Sequence, residues 1–383
     1  MSAGLTARAF SARVGTGLAK ENAETQRPGA SGRFSLIGGH AKRLLRYGVI
    51  RAGLEAVALT HAGRLMPGAA GRGVVFTLHH VRPAAAANFD PNAILAVTPA
   101  FLEQAIGVAL KRGLTPVHLH DLPKLLADES DQRKFAAFTL DDGYRNNAEF
   151  AAPVFRKYGV PYTVFVTPGF STRTRTIWWE TAAALAGQGP SVRFDFGAGP
   201  ETVATATGLQ KFAAFERLAA FVQSIDEDEA VERIDEAARA AGLDPLAIVD
   251  GLVMTVDELR VLGADPLAHL GAHTMTHVNL MRVSAERLHH EIAASTRTIE
   301  DWVGARPRAF SYPYGWASAA GAREFAAAAA AGFEVAVTTR PAVLPFGRLE
   351  RPTALGRVSL NGLYQQPRYV EALISGIPFR LMG

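Results

Sequence analysis

Two short stretches of this chain bring together side chains that could do chemistry. Thr139-Leu140-Asp141-Asp142-Gly143 carries two adjacent carboxylates out of the apolar run 135–140 and into a glycine turn. Much further on, Gly271-Ala272-His273-Thr274-Met275-Thr276-His277 offers two imidazoles four residues apart. One carboxylate and two histidines make a ligand set for a zinc-like cation. The other carboxylate is then free to act as a base on water. Neither stretch completes a hydrolytic metal site alone; together they do. The chain has no cysteine, so a metal here would rest on nitrogen and oxygen, which suits zinc, manganese, nickel or cobalt.

The elements that must position these groups follow an α/β rhythm from residue 73 onward. Strands are expected at 73–79, 115–119, 134–141 and 161–167, then at 310–312, 334–339 and 356–359. Helices are expected at 99–112, 121–127, 146–158, 284–303 and 319–331. Asp141-Asp142 therefore ends a strand, as active-site residues do at the C-terminal rim of a parallel α/β barrel. Successive side chains on a strand point to opposite faces, so the two carboxylates need not share one task. The interval 174–262 breaks the rhythm and reads as a helical insertion. It holds an acidic run at 226–236, a capping box at Thr255-Val256-Asp257-Glu258 and the adjacent Trp178 and Trp179.

Charge divides the chain. Residues 1–72 hold 11 of the 40 Lys+Arg and 3 of the 36 Asp+Glu, leaving 29 basic against 33 acidic residues in the body. A mildly acidic body lacks the clustered cations of nucleic-acid recognition, which sets that class aside. Residues 1–40 are rich in Gly, Ser and Ala and read as a flexible tail. Residues 41–66 read as an amphipathic helix with Lys42, Arg43, Arg46 and Arg51 among its apolar positions. Such a helix either docks on the body or a partner subunit, or meets anionic lipid. No apolar run reaches the ~18–20 residues of a membrane span, and no secretory signal is evident. The expected location is the cytoplasm, with peripheral membrane contact through 41–66.

The ordered motifs resemble those of the polysaccharide deacetylases, the NodB-homology family of carbohydrate esterases. Thr139-Leu140-Asp141-Asp142-Gly143 is similar to their first motif and His273-Thr274-Met275-Thr276-His277 to their second. Phe310-Ser311-Tyr312-Pro313-Tyr314-Gly315 is similar to their third, which forms a groove wall. The resemblance covers about residues 73 to 360. It implies a distorted (β/α) barrel spanning 73–383, with the insertion at about 174–262. It implies hydrolysis of N-acetyl groups on N-acetylglucosamine-containing oligo- or polysaccharide, as in chitooligosaccharide deacetylases. Asp141 would be the base, and Asp142, His273 and His277 would hold the metal, which is zinc in the first instance. Tyr312 and Tyr314 would face the substrate, with the Tyr314 N–H on the oxyanion; Trp178 and Trp179 would offer a stacking surface or a buried core.

Two departures accompany the resemblance. The family's common acid is a late histidine, and no histidine occurs from Ser311 onward. Thr77-Leu78-His79-His80-Val81 resembles the early strand of a subgroup that takes its acid there, which points to His79, with His80 facing elsewhere. Ser311 stands where the family often has an arginine that orients the base; Arg308 and Arg357 are the two candidates to replace it. The same site would also serve O-acetyl esters, as in xylan esterases. A carbohydrate-binding homologue that has lost turnover is the reading from another class.

Overall fold

The computed structural model describes residues 32–60, 62–84 and 88–380. The stretch 1–31, most of the expected tail, lies outside the described residues. From Gly32, inside that expected tail, the chain is already helical, and the N-terminal helix runs Gly32–Thr60.

Eight parallel strands form the main sheet. In chain order they are β1 (Gly73–Leu78), β2 (Leu114–Pro116), β3 (Lys134–Leu140), β4 (Tyr162–Val166), β5 (Ala268–Ala272), β6 (Ala309–Ser311), β7 (Val335–Val337) and β8 (Val358–Ser359). Across the sheet they lie β7-β6-β5-β4-β3-β1-β8, with β2 sharing an edge of β3. The sheet curls until its ends nearly meet. Leu355 bridges to Val337 of β7, and three residues later Val358 pairs with Phe76 of β1. That one segment covers both edges, which would otherwise present unpaired N–H and C=O groups. The result is a distorted (β/α) barrel.

The strands are apolar on both faces, as parallel strands covered by helices must be. Alternate residues divide between two cores. Val75, Phe135, Ala137, Phe165, Ala309, Val335 and Val337 fill the barrel interior. Val74, Phe76, Leu78, Ala136, Phe138 and Leu140 face the surrounding helices. The inward parity falls on Ser311 at the end of β6 and, continued one residue past β1, β3 and β5, on His79, Asp141 and His273.

β5 is the strand that sequence patterning does not mark, since Ala268-His269-Leu270-Gly271-Ala272 has no β-branched residue. It is a strand because β4 pairs along its whole length. At Gly271 an added Cβ would lie 2.5 Å from the Phe165 ring, so glycine is what lets the two strands approach there. The insertion is not wholly helical either. Beside helices Trp178–Gln188, Gly208–Val222, Glu227–Ala240, Pro245–Leu252 and Val256–Gly263 it contains an antiparallel hairpin, Ser191–Asp195 with Pro200–Ala204. Asp195 accepts from the N–H of Gly197 and Gly199, both at φ above 100°, and so closes its turn. The insertion has a hydrophobic core of its own around Trp179, Leu185, Phe194, Leu218, Phe221 and Ile234. The N-terminal helix docks on the body: Leu54 and Val57 pack with Tyr369 and Ala372 of helix Pro367–Ile374, and Glu55 pairs with Arg368.

Candidate active site

Asp141, Asp142, His79, His273 and His277, singled out from sequence, converge where β1, β3 and β5 end. Asp141 follows β3 directly, its N–H donating to the Leu78 carbonyl at 3.0 Å. Its carboxylate is buried and held by Arg357, whose Nη1 donates to Oδ1 at 2.8 Å and Nη2 to Oδ2 at 2.7 Å. The same guanidinium donates to Thr139 Oγ1, Ser311 Oγ and the Thr338 carbonyl, which uses all five of its N–H groups. Burial pushes the Asp141 pKa up, but the Arg357 cation outweighs it, and the carboxyl lies below the usual range. Arg308, the other candidate, pairs with Glu334 and donates its backbone N–H to His269 near the start of β5, away from this rim.

Asp142 would by strand alternation face outward. A left-handed backbone (φ 73°) turns it back to the barrel mouth. Its Oδ1 lies 3.5 Å from His273 Nε2 and 3.4 Å from His277 Nε2. One donor atom from each of these three residues lies within 4.8 Å of the others.

His273 and His277 sit on a turn, not on a helix. Thr274 (φ 63°) and His277 (φ 58°) are left-handed, and Thr274 Oγ1 accepts from the His277 N–H. Buried Glu291, from helix Ala285–Val303, accepts from the N–H of Met275 and Thr276 and from the Thr276 hydroxyl, locking the turn. Four of the five non-glycine residues with positive φ among those described, namely Asp142, Thr274, His277 and Tyr314, belong to this rim. Backbone strain concentrated in this way marks a site whose geometry the surroundings impose.

The three residues fit a divalent cation. Asp142 Oδ1 is buried without a hydrogen-bond donor, an arrangement costly for a carboxylate unless a cation completes it. His273 Nδ1 donates to the Ser311 carbonyl at 2.7 Å, which leaves the lone pair on Nε2, toward Asp142. Burial pulls the His277 pKa down to about 3, so that ring is neutral, as a ligand must be.

His79 lies at the rim with its Nε2 3.9 Å from Asp141 Oδ2 and its ring partly exposed. Burial lowers its pKa, against the pull of Asp142 and Asp141. His80 turns the other way: it stacks on Tyr144, its Nδ1 meets Asn146 and its Nε2 faces Glu180 at 3.5 Å.

Tyr314 is left-handed at φ 62°, and its backbone N–H has no hydrogen-bond partner among the described residues. The next residue has to be glycine: Gly315 is at φ 65°, and a Cβ there would lie 2.5 Å from the Thr339 nitrogen. The Tyr314 hydroxyl donates to Glu227 Oε1 at 2.5 Å and accepts from Trp178 Nε1 at 2.9 Å. Glu227 Oε2 accepts from the Asn279 N–H at 2.9 Å. One buried carboxylate of the insertion thus ties the Tyr314 turn to the His277 turn. Burial pushes its pKa up despite both bonds.

One sequence expectation needs correction, and one pair of alternatives is decided. Tyr312 is fully buried against Phe310 and Phe325, with its hydroxyl donating to the Thr353 carbonyl. Its parity sends it into the helix-facing core, where it cannot touch a substrate. Trp178 and Trp179 are buried wall, not an open stacking platform. Trp178 holds Tyr314, while Trp179 donates to the Tyr144 hydroxyl and packs 4.9 Å from the His277 ring. Glu227 and Glu291 escaped sequence reasoning altogether, because acids on helices usually mark a solvated face.

A family model described as polysaccharide deacetylase matches residues 128–194 and 234–336. The gap, 195–233, falls within the insertion, and β1 with His79 precedes the matched region. No curated protein matches the chain. Among solved structures it is similar to the Streptococcus pyogenes deacetylase PplD in complex with acetate (13% identity, 76% of this chain and 93% of that one, TM-score 0.48). It is similar to IcaB from Ammonifex degensii (17%, 78% and 96%, TM-score 0.48). It is also similar to a de-N-acetylase from Aggregatibacter actinomycetemcomitans (14%, 74% and 93%, TM-score 0.46).

Proposed function

Because this chain belongs to the polysaccharide deacetylase family, we propose that it is a metal-dependent hydrolase acting on N-acetylglucosamine-containing oligo- or polysaccharide and releasing acetate. The observation that carries this reading is the meeting of Asp142, His273 and His277 around one point, with Asp141 beside them.

A zinc-like cation held by Asp142, His273 and His277 supplies Lewis-acid polarisation of the acetamide carbonyl and acidifies water. The chain's own residues do the rest. Asp141 accepts the proton of the attacking water as its oxygen bonds to the acetyl carbon. Arg357 fixes the plane of that carboxylate, leaving each oxygen further lone pairs for the proton. The Tyr314 N–H donates to the oxyanion that forms on the former carbonyl oxygen. As the C–N bond breaks, His79 delivers a proton to the departing sugar nitrogen, and acetate and free amine result. The 3.9 Å between His79 and Asp141 keeps acid and base at one bond. The missing late histidine and Ser311 in place of the usual arginine both favour an inert, carbohydrate-binding homologue; Arg357 on Asp141 answers the second of these.

The test is metal content measured beside acetate release from chitooligosaccharides. About one divalent ion per chain is expected, with both ion and turnover lost in Asp142→Ala and His277→Ala. Bound metal without acetate release from any N- or O-acetylated glycan would favour the binding homologue. Release from acetylated xylan alone would favour the O-esterase.

A further inference from the structure

The N-terminal helix is apolar on two opposite sides. Ile50, Leu54 and Val57 face inward, onto Tyr369, Ala372 and Leu373. Leu45, Val49, Ala52, Ala56 and Leu59 recur at intervals of four and three residues, and all five are exposed, Leu45 by 69% and Leu59 by 75%. At about 100° per residue that spacing draws one stripe down the side away from the body. A helix whose only task was to dock would show polar side chains there. Scattered exposed leucines are ordinary; a continuous apolar stripe marks a surface that something covers.

The charges choose the occupant. Arg46 and Arg51 flank the stripe, one on each side, and neither forms an ion pair among the described residues. The helix's single carboxylate, Glu55, is already committed to Arg368 and Tyr369. A second copy of this face would set arginines against arginines with no free acid to meet them. An anionic lipid surface satisfies both halves of the pattern, with acyl chains for the stripe and phosphates for the guanidinium groups. No described helix is long and apolar enough to cross a membrane, so the helix would lie in the interface.

We propose that the outer face of this helix over residues 45–59 adsorbs to anionic membrane and holds the enzyme there. The proposal stands whether or not the catalytic reading does, because none of these residues touches the rim.

The experiment is flotation of the full chain with vesicles of phosphatidylcholine, with and without phosphatidylglycerol. Binding to the anionic vesicles only, weakened by salt, is expected. The pair Arg46→Glu/Arg51→Glu should lower partitioning at least about fivefold per residue. Leu45→Glu/Leu59→Glu should lower it at least about tenfold. Both pairs should keep wild-type melting temperature and wild-type turnover of a soluble substrate. No flotation, equal flotation with both vesicle types, or Leu45→Glu/Leu59→Glu floating like wild type would overturn the proposal. So would a dimer in light scattering that the leucine variants dissolve, which would assign the face to a second copy.

Discussion

Arg357 and Asp141, 216 residues apart, form a fully buried two-pronged ion pair at 2.8 and 2.7 Å. The guanidinium spends every N–H on Asp141, Thr139, Ser311 and Thr338, so it is a fitted part and not a chance surface contact. The Ser311 hydroxyl is one of its acceptors, so the residue that looked like a loss is a partner of the replacement.

Arg357→Lys keeps the charge and gives up the fork. Turnover should fall at least about tenfold, because Asp141 loses its orientation. The sign of the pH effect follows from the pKa. Arg357 holds Asp141 low, so weakening the pair raises the carboxyl pKa and moves the acid limb of kcat/KM to higher pH. An unmoved acid limb would separate Arg357 from the base. Arg357→Ala should cost about 3–5 kcal/mol of stability, since it strands a buried carboxylate.

His79→Gln should bind metal like wild type and lose about 10²- to 10⁴-fold in turnover, the usual contribution of a positioned acid or base. Turnover unchanged across pH would remove His79 from the mechanism.

Metal binding should appear in unfolding as well as in activity. An ion at a hundredfold its Kd stabilises by about 2.7 kcal/mol. Chelator-treated protein should regain that margin with zinc, and Asp142→Ala should gain nothing. The readout is thermal unfolding with and without added ion.

Glu227→Ala leaves the Tyr314 hydroxyl without its acceptor and the Asn279 N–H unpaired, at about 1–3 kcal/mol for each buried group. If the carboxylate also positions the Tyr314 turn, kcat should fall beyond what lost stability explains, with metal content intact. Glu227→Gln, which still offers one acceptor, should recover part of both. Wild-type kcat in a destabilised Glu227→Ala would limit Glu227 to structure.

At the opposite end of the barrel His118 stacks on His120 at 5.0 Å, and His120 meets His269 at 4.5 Å. Burial first, then the nearby Arg308, holds His120 down to about 4, while burial and the neighbouring histidines hold His269 down to about 3. Above the ordinary value of 6.5 these rings are neutral in both folded and unfolded chain. Below it the unfolded chain takes protons that the folded one refuses, despite Asp121 and Glu334 nearby. Stability should therefore fall from pH 6.5 toward pH 4, and His120→Asn should flatten that slope in a melting-temperature series.

Much of the site was legible in sequence because its signals are local. A strand-end Asp-Asp-Gly, a pair of histidines four apart and a Pro-Tyr-Gly turn each declare their chemistry within seven residues. Local patterning likewise placed the helix after Thr98 and the capping box at Thr255. It passed over β5, whose strand character comes from β4 beside it, and the hairpin of the insertion.

The amino-acid sequence by itself determined which groups could do the chemistry and that they end strands of an α/β barrel, since residue type and periodicity are properties of neighbours along the chain. Tertiary structure alone decided which arginine holds Asp141, which tyrosine reaches the site and what the acidic helix of the insertion is for. Arg357 holds Asp141 and Arg308 does not, Tyr314 stands at the rim and Tyr312 is buried, and Glu227 clamps two turns, all for one reason. Each answer depends on which side of a curled sheet a side chain enters, and on which distant segment closes over it.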